Sequence, residues 1–145
     1  MPEPGLDADL APKADLGEES YRGTGRLTGR KALVTGGDSG IGAATAIAFA
    51  REGADVALSY LPEEEEDASR IAGILREAGA KVATIPGDLR DPEYCRTLVA
   101  AAVGALGGLD ILVNNGGKQI YQESLTDITD EQFDDTFKTN VYAMF

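Results

Sequence analysis

Short apolar runs alternate along the chain with longer segments in which apolar residues recur at helical spacing. The runs predict four strands, at residues 31–34, 55–60, 81–87 and 109–113. The segments between them predict three helices, at residues 41–51, about 63–78 and about 91–105. The third helix begins with Asp91 at the N-cap and Pro92 as its first residue, since both residue types favour those positions.

A fourth helix is predicted after the last strand. The run from Thr129 to Gln132 fits a capping box, and the pattern predicts that this helix continues to Phe145. Alternating strands and helices form parallel sheets, because each crossover returns the chain to the same edge. The sequence therefore predicts an α/β fold with a doubly wound parallel sheet.

Residues 1–26 differ from the rest of the chain. They contain Pro2, Pro4 and Pro12 together with several acidic residues, and no hydrophobic period is sustained. Such a segment buries too little apolar surface to offset the entropy of ordering it. We predict an acidic mobile arm with at most a few docked residues, either solvated or clamping a neighbouring subunit, ahead of one domain at residues 27–145.

Composition and charge exclude several functions. The chain has 13 basic and 25 acidic side chains, a formal net charge of −12, no His and one Cys. Nucleophilic triads that need His, imidazole zinc sites and internal disulfides are excluded, and no metal site is predicted. The negative charge disfavours nucleic acid and membranes as partners. An acidic start and a broken apolar stretch at 97–113 predict a cytoplasmic protein.

The glycine-rich segment from Thr35 to Gly42 carries the sharpest chemical signal. It lies where the first strand turns into the first helix, so its backbone can approach a pyrophosphate beside a helix N-terminus. The spacing is Gly-x-x-x-Gly-x-Gly, and no Gly-Lys-Ser/Thr follows, which excludes a nucleotide-hydrolysing P-loop. A glycine turn that merely reverses the chain is the alternative.

Other polar residues follow the later strands, where open α/β sheets bind ligands. Asp88 and Leu89 follow the third strand, Asn114 to Gly117 follow the fourth, and Asn140 lies in the last helix. Each has a structural alternative: a turn cap, a plain loop or a side chain bonded to backbone.

Together these residues resemble the classical branch of the short-chain dehydrogenase/reductase family. The likeness covers residues 27–145 and rests on Thr35-Gly36-x-x-x-Gly40-Ile41-Gly42, Asp88, Asn114-Asn115-x-Gly117 and Asn140. The arm, with Gly25-Arg26-Leu27-x-Gly29-Arg30, and the run Ser59-Tyr60-Leu61-Pro62-Glu63-Glu64-Glu65 are similar to a bacterial subgroup of general-stress and glucose/ribitol-dehydrogenase-like proteins. The resemblance implies a Rossmann-like sheet that is incomplete here, with its later strands missing.

The resemblance also implies roles for individual residues. The cofactor diphosphate and the adjoining ribose would be held by Gly36, Ser39, Gly40, Ile41 and Gly42. Asp88 and Leu89 would flank the adenine, and Asn114 and Gly116 would line the path towards the nicotinamide. Asn140 would be the catalytic residue that holds a water in the proton relay. Gly116 stands where the family usually has Ala, which we expect to loosen the turn.

The resemblance leaves the cofactor open between NAD and NADP. Tyr60 occupies the position where an NAD enzyme carries the Asp that binds the ribose 2′-hydroxyl. The acidic residues 63–66 would repel a 2′-phosphate if they approach the ribose, which favours NAD. If they only complement a helix dipole, they say nothing about the cofactor.

The family's other catalytic residues, a Ser and a Tyr-x-x-x-Lys pair, do not occur in these 145 residues. The chain is therefore expected to be the N-terminal portion of an oxidoreductase acting on an alcohol, sugar alcohol, aldehyde or ketone, and to be inactive alone. The alternatives are a non-catalytic remnant that binds dinucleotide weakly or is unstable, and a docking module built on its acidic segments. The complete protein is expected to form a dimer or tetramer.

Overall fold

The computed structural model describes residues 10–145, and in them strands and helices alternate. The strands are β1 (Lys31–Thr35), β2 (Asp55–Tyr60), β3 (Val82–Pro86) and β4 (Ile111–Val113). The helices are α1 (Gly40–Arg51), α2 (Glu65–Glu77), α3 (Pro92–Leu106) and α4 (Asp130–Asn140). Short 3-10 turns lie at Pro62–Glu64, Leu125–Asp127 and Tyr142–Met144.

The four strands form one parallel sheet in the order β3-β2-β1-β4. Leu33 of β1 lies between Ala57 of β2 and Leu112 of β4. The predicted α/β class is confirmed. Because all strands run in the same direction, the loops after β1, β3 and β4 gather at one edge of the sheet, where such sheets bind ligands.

The sheet is covered on both faces, which explains the nearly continuous apolar strands. One face packs against α1 and α2, around the fully buried Ile47, Leu58 and Ile71. The other face packs Leu33 against α3 through Leu98. Asp91 caps α3 as predicted, with its carboxylate accepting a hydrogen bond from the Glu93 N–H at 2.9 Å.

Helix α4 differs from its prediction in two respects. It ends at Asn140 rather than Phe145, because the Asn140 amide turns to the backbone of Lys118 and the chain leaves helical geometry at Val141. Only half of the capping box forms. The Thr129 hydroxyl accepts from the Gln132 N–H, while the Gln132 side chain accepts from Gln122.

The segment before β1 is fixed by one buried carboxylate, Glu52, just beyond α1. Its two oxygens accept hydrogen bonds from the Tyr21 hydroxyl at 2.7 Å, the Thr24 N–H at 3.0 Å and the Arg26 backbone and guanidinium at 2.8–3.1 Å. A Cβ at Gly23 would overlap the Arg51 carbonyl group, so the chain crosses close to the end of α1 there. The predicted mobile arm also includes residues 1–9, which lie outside the described residues.

Candidate functional site

The loop between β1 and α1 can adopt its conformation only with glycine at certain positions. Gly36 and Gly40 have φ angles of 61° and 50°, in the left-handed region that side chains disfavour. A Cβ at Gly42 would overlap the Gly36 carbonyl oxygen and lie 2.5 Å from the Asn115 amide nitrogen. The loop therefore folds back tightly onto the first turn of α1.

The N-terminus of α1 suits an anion. Ser39 occupies the N-cap position with extended backbone, its side chain makes no capping hydrogen bond, and the first turn contains no acidic residue. No carboxylate within that turn therefore neutralises the positive end of the helix dipole or competes with a bound anion for it. A Cβ at Gly40 would meet nothing within 4 Å, so the surface above the loop is open. This cradle fits a diphosphate held by backbone N–H groups.

Thr35 and Asn115 join the ends of β1 and β4. The Thr35 hydroxyl donates to the Val113 carbonyl at 3.2 Å and accepts from the N–H groups of Asn115 and Gly116 at 3.0 and 2.9 Å. The Asn115 amide donates to the carbonyls of Thr35 and Gly36, both at 3.0 Å. The sequence pattern alone indicates no role for either residue. The adjacent Asn114 and Asn115 are the signal that could have suggested a structural hydrogen-bonding role for one of them.

Gly116 lies at the crowded junction of this clamp. A Cβ there would lie 2.6 Å from a methyl group of Leu89 and 3.3 Å from the Thr35 hydroxyl oxygen. The backbone N–H of Gly116 is meanwhile held by Thr35. An alanine at this position would require the Leu89 side chain to move.

Leu89 and Asn114, both predicted site residues, line one groove. It has a volume of about 730 Å³ and opens between α3 and the turn at the end of α4. A smaller cavity beside it is also lined by Thr35, Gly116 and Thr139. The structure therefore brings the loops after β1, β3 and β4 together around shared space.

The Asp88 carboxylate accepts hydrogen bonds from both the backbone and the side chain of Arg90. Its Oδ1 atom accepts from the Arg90 backbone N–H at 2.9 Å, and its Oδ2 atom accepts from the guanidinium Nε at 2.9 Å and a terminal nitrogen at 2.6 Å. These hydrogen bonds hold the pKa of Asp88 below its ordinary value and raise the pKa of Arg90. The turn-forming alternative for Asp88 is thus present in the structure.

Asn140 makes a paired contact with one peptide group. Its Oδ1 atom accepts from the Lys118 N–H and its Nδ2 atom donates to the Lys118 carbonyl, both at 2.7 Å. The side chain therefore ties α4 to the loop after β4. Its role in holding a catalytic water stays a prediction.

The Tyr60 side chain lies in the apolar core formed with α1 and α2. It is buried between the sheet and α2, and its hydroxyl donates to the Glu65 carboxylate at 2.7 Å. Burial, and then the contact with Glu65, raise the pKa of Tyr60 to about 12. This placement argues against a contact between the Tyr60 side chain and a cofactor ribose.

Acidic side chains lie close to the glycine loop instead. Asp38 is 2% exposed, and Glu64 accepts a hydrogen bond from the Leu61 N–H at 3.0 Å. Burial raises the pKa of Glu64, and the neighbouring charges of Asp38, Glu63 and Asp67 raise it further. Asp38 in the glycine loop and Glu64 after β2 therefore place negative charge close together on this side of the sheet.

Residues 10–145 contain neither a cluster of metal-binding side chains nor a helix that could span a membrane. In that range, no three His, Cys, Asp or Glu side chains lie together in a way that could hold a metal ion. The helices found there are too short or too polar to cross a bilayer.

Comparison with known proteins gives a consistent result. The family model for short chain dehydrogenase matches residues 30–145. The oxidoreductase YghA of Escherichia coli K12 is 56% identical over 145 residues, which are all of this chain and 49% of that protein. General stress protein 39 of Bacillus subtilis is 46% identical over 143 residues, which are 99% of this chain and 50% of that protein.

A solved structure agrees with these sequence matches. A short chain dehydrogenase from Burkholderia cenocepacia J2315, in complex with NADP, is 43% identical with a TM-score of 0.77, over 81% of this chain and 47% of that one. The chain spans about half the length of the curated relatives it matches. The predicted family, its general-stress relatives and the Rossmann-like architecture are confirmed, and the chain belongs to the short chain dehydrogenase family.

Proposed function

We propose that this chain binds a nicotinamide dinucleotide and supplies the cofactor-binding half of an oxidoreductase that acts on CH–OH or carbonyl groups. The observation that carries the proposal is the glycine loop. Its close approach at Gly42 and its position at the N-terminus of α1 suit a diphosphate. The NADP complex of the Burkholderia relative supports the same cofactor class.

Every predicted site residue except Tyr60, whose side chain is buried in the core, has a place in this proposal. The diphosphate and its ribose contact the loop at Gly36, Ser39, Gly40, Ile41 and Gly42. The adenine lies beside Asp88 and Leu89, and the nicotinamide extends past Asn114 and Gly116 towards Asn140. A nicotinamide cofactor supplies hydride transfer, while protein groups orient the substrate and handle the proton.

The chain by itself does not complete this chemistry. None of its five tyrosines is followed by Lys four residues later, so the proton-transfer pair of the family is absent from these 145 residues. We therefore expect binding without turnover of alcohols. The alternative, a remnant that binds dinucleotide weakly or not at all, is favoured by α4, in which no residue is buried.

NAD is the proposed cofactor rather than NADP. A 2′-phosphate at the end of β2 would meet the negative charge of Asp38 and Glu64, and like charges in a partly buried setting repel strongly. Replacing Glu64 by Gln removes one of these charges. We expect this variant to bind NADP about tenfold more tightly and NAD nearly unchanged, as measured by isothermal titration calorimetry.

The whole protein is proposed to be a dimer or tetramer that uses α4. The Phe133 and Phe137 rings on this helix contact each other, with centroids 4.6 Å apart, yet they are 58% and 39% exposed. An exposed aromatic pair on a helix with no buried residue is typical of an interface.

The test of dinucleotide binding is a pair of matched glycine variants. Gly42→Ala places a methyl group on the Gly36 carbonyl oxygen, whereas Gly73→Ala in α2 meets nothing within 4 Å. Titration with NADH, followed by its fluorescence, is expected to show binding that Gly42→Ala weakens at least about tenfold, through a shift of the loop. Gly73→Ala is expected to bind like the parent chain.

Circular dichroism of both variants controls for folding. A folded parent chain that does not bind NADH would contradict the proposal and favour the remnant alternative. Equal binding by the two variants would show that the glycine loop is not the cofactor site.

A further inference from the structure

Arg90 lies at the surface, yet its side chain connects two carboxylates that belong to different parts of the fold. Its guanidinium binds Asp88 through Nε and one terminal nitrogen, and the other terminal nitrogen binds Asp135 of α4 at 2.7 Å. All three side chains are between 36% and 39% exposed. One side chain thereby joins the loop after β3 to a helix 45 positions further along the chain.

The contacts on Asp88 are unequal, and the difference matters for binding. Oδ2 receives the two shorter guanidinium bonds, at 2.6 and 2.9 Å. Oδ1 receives the backbone N–H of Arg90 at 2.9 Å and shares Nε at 3.1 Å. A carboxylate offers about four acceptor positions, or two on each oxygen. When Nε donates to Oδ2, its closer partner, Oδ1 accepts only from the Arg90 backbone N–H and has one position left for another donor.

The hydrogen bond from Arg90 to Asp135 connects α4 to the rest of the domain. No residue of α4 is buried, so apolar packing contributes little to its position. Its polar ties to the body include Arg90 on Asp135, Asn140 on Lys118 and Gln132 on Gln122. Asn140 lies on the same helix five positions after Asp135, so the tie at Asp135 limits movement of the segment that carries Asn140.

We propose that Arg90 is a positioning residue of the dinucleotide site, which aims Oδ1 of Asp88 at the adenine amino group and fixes α4 at Asp135. The inference rests on the proposed function, because it assumes that adenine lies beside Asp88. A guanidinium that donates two hydrogen bonds from its rigid plane fixes a carboxylate in direction as well as charge, which an ammonium group does not. Exposed ion pairs add little stability, so the effect belongs to selectivity and local order.

The experiment compares NAD with nicotinamide hypoxanthine dinucleotide, which carries a carbonyl oxygen in place of the adenine amino group. Dissociation constants are measured by calorimetry for the full chain. The parent is expected to prefer NAD about tenfold, because Asp88 accepts from the amine and repels the carbonyl oxygen. Arg90→Ala and Arg90→Lys are each expected to reduce this preference to about twofold.

Two further variants separate the parts of the proposal. Asp135→Asn leaves the Asp88 contacts intact, so it should keep the preference for NAD while amide hydrogen exchange in α4 becomes about tenfold faster. Arg96→Ala is the matched control, since Arg96 is 73% exposed and forms its ion pair with Glu93 of the same helix, at 3.4 Å. It should alter neither measurement.

The outcomes distinguish the two levels of inference. Arg90 variants that retain the parent's preference, or that weaken both dinucleotides equally, would overturn the role of Arg90. A parent chain that binds both dinucleotides with equal affinity would also overturn it, while leaving the proposed function standing. A parent chain that binds neither would overturn both.

Discussion

The interior strand β2 and the edge strand β4 differ in how completely their surroundings bury them. Leu58 in the middle of β2 is fully buried between strands on both sides and helices α1 and α2. Leu112 in β4 is the same residue type in the same sheet and is 48% exposed, because within the described residues no strand lies beyond β4. Burial here depends on neighbours rather than on residue type.

This difference separates the two functions of the site. The glycine loop lies at the end of β1, next to the well-packed β2, and its geometry is set by close backbone contacts and by the Asn115 amide. Asn140 lies on α4, which is held by polar contacts alongside the exposed β4. The proposed diphosphate loop can therefore keep its geometry even where the segment that carries Asn140 is loosely held.

The largest expected effect comes from truncating one leucine in each region. Leu58→Ala should lower the free energy of unfolding by about 2–5 kcal/mol, since it removes fully buried methyl groups and leaves a cavity. Leu112→Ala should lower it by less than about 1 kcal/mol, because half of that side chain already contacts solvent. Urea unfolding measures both, and equal losses would show that β4 is buried in solution by something other than this chain.

A smaller effect is expected from releasing the segment before β1. Glu52→Gln removes the charge that accepts hydrogen bonds from Tyr21, Thr24 and Arg26. Trypsin should then cleave after Arg26 at least about fivefold faster, because the segment opens locally without unfolding the sheet. Glu77→Gln, at an exposed glutamate of α2, is the control and should cleave like the parent.

The same contact predicts a pH dependence. Hydrogen bonds from Arg26, and then from Tyr21, hold the pKa of Glu52 well below its ordinary value of 4.5. The folded protein therefore binds fewer protons here than the unfolded chain, and the stabilisation is fully present above about pH 4.5. It is lost as the pH falls through the folded-state pKa. Amide hydrogen exchange of the segment before β1 measures this dependence. Exchange rates that show no loss of protection in the parent relative to Glu52→Gln down to pH 2 would contradict this assignment.

Local patterns in the sequence predicted much of this structure. The glycine spacing identified the loop, Asp91 and Pro92 identified a helix start, and the strand–helix alternation identified the parallel sheet. Each of these depends on residues close together along the chain, where period and capping chemistry suffice.

Contacts between distant residues could not be predicted in the same way. The local pattern around Glu52 does not show that it binds three residues of the preceding segment. The end of α4 depends on Lys118, which is 22 positions away from Asn140. The direction of the Tyr60 side chain follows from the pleat of β2 and the apolar face of α2, and the resemblance to a family motif did not specify it.

The smallest expected effect tests the hydroxyl of Tyr60 in the well-packed strand β2. Tyr60→Phe removes a hydrogen bond to the exposed Glu65 and should cost about 0.5–1.5 kcal/mol near neutral pH. Because the pKa of Tyr60 is raised from 10.0 to about 12, the unfolded chain loses its phenol proton first as the pH rises. The parent should therefore lose stability relative to Tyr60→Phe between about pH 10 and 12.

Tyr121→Phe is the matched control for this effect, since Tyr121 is 80% exposed beyond the β4 end of the sheet. Its stability should follow that of the parent at every pH. Urea unfolding at about pH 9 and pH 11 measures the difference. If the parent and Tyr60→Phe lose stability equally over this interval, the Tyr60 phenol is not buried in solution, and the packing contrast between β2 and β4 is weaker than the structure indicates.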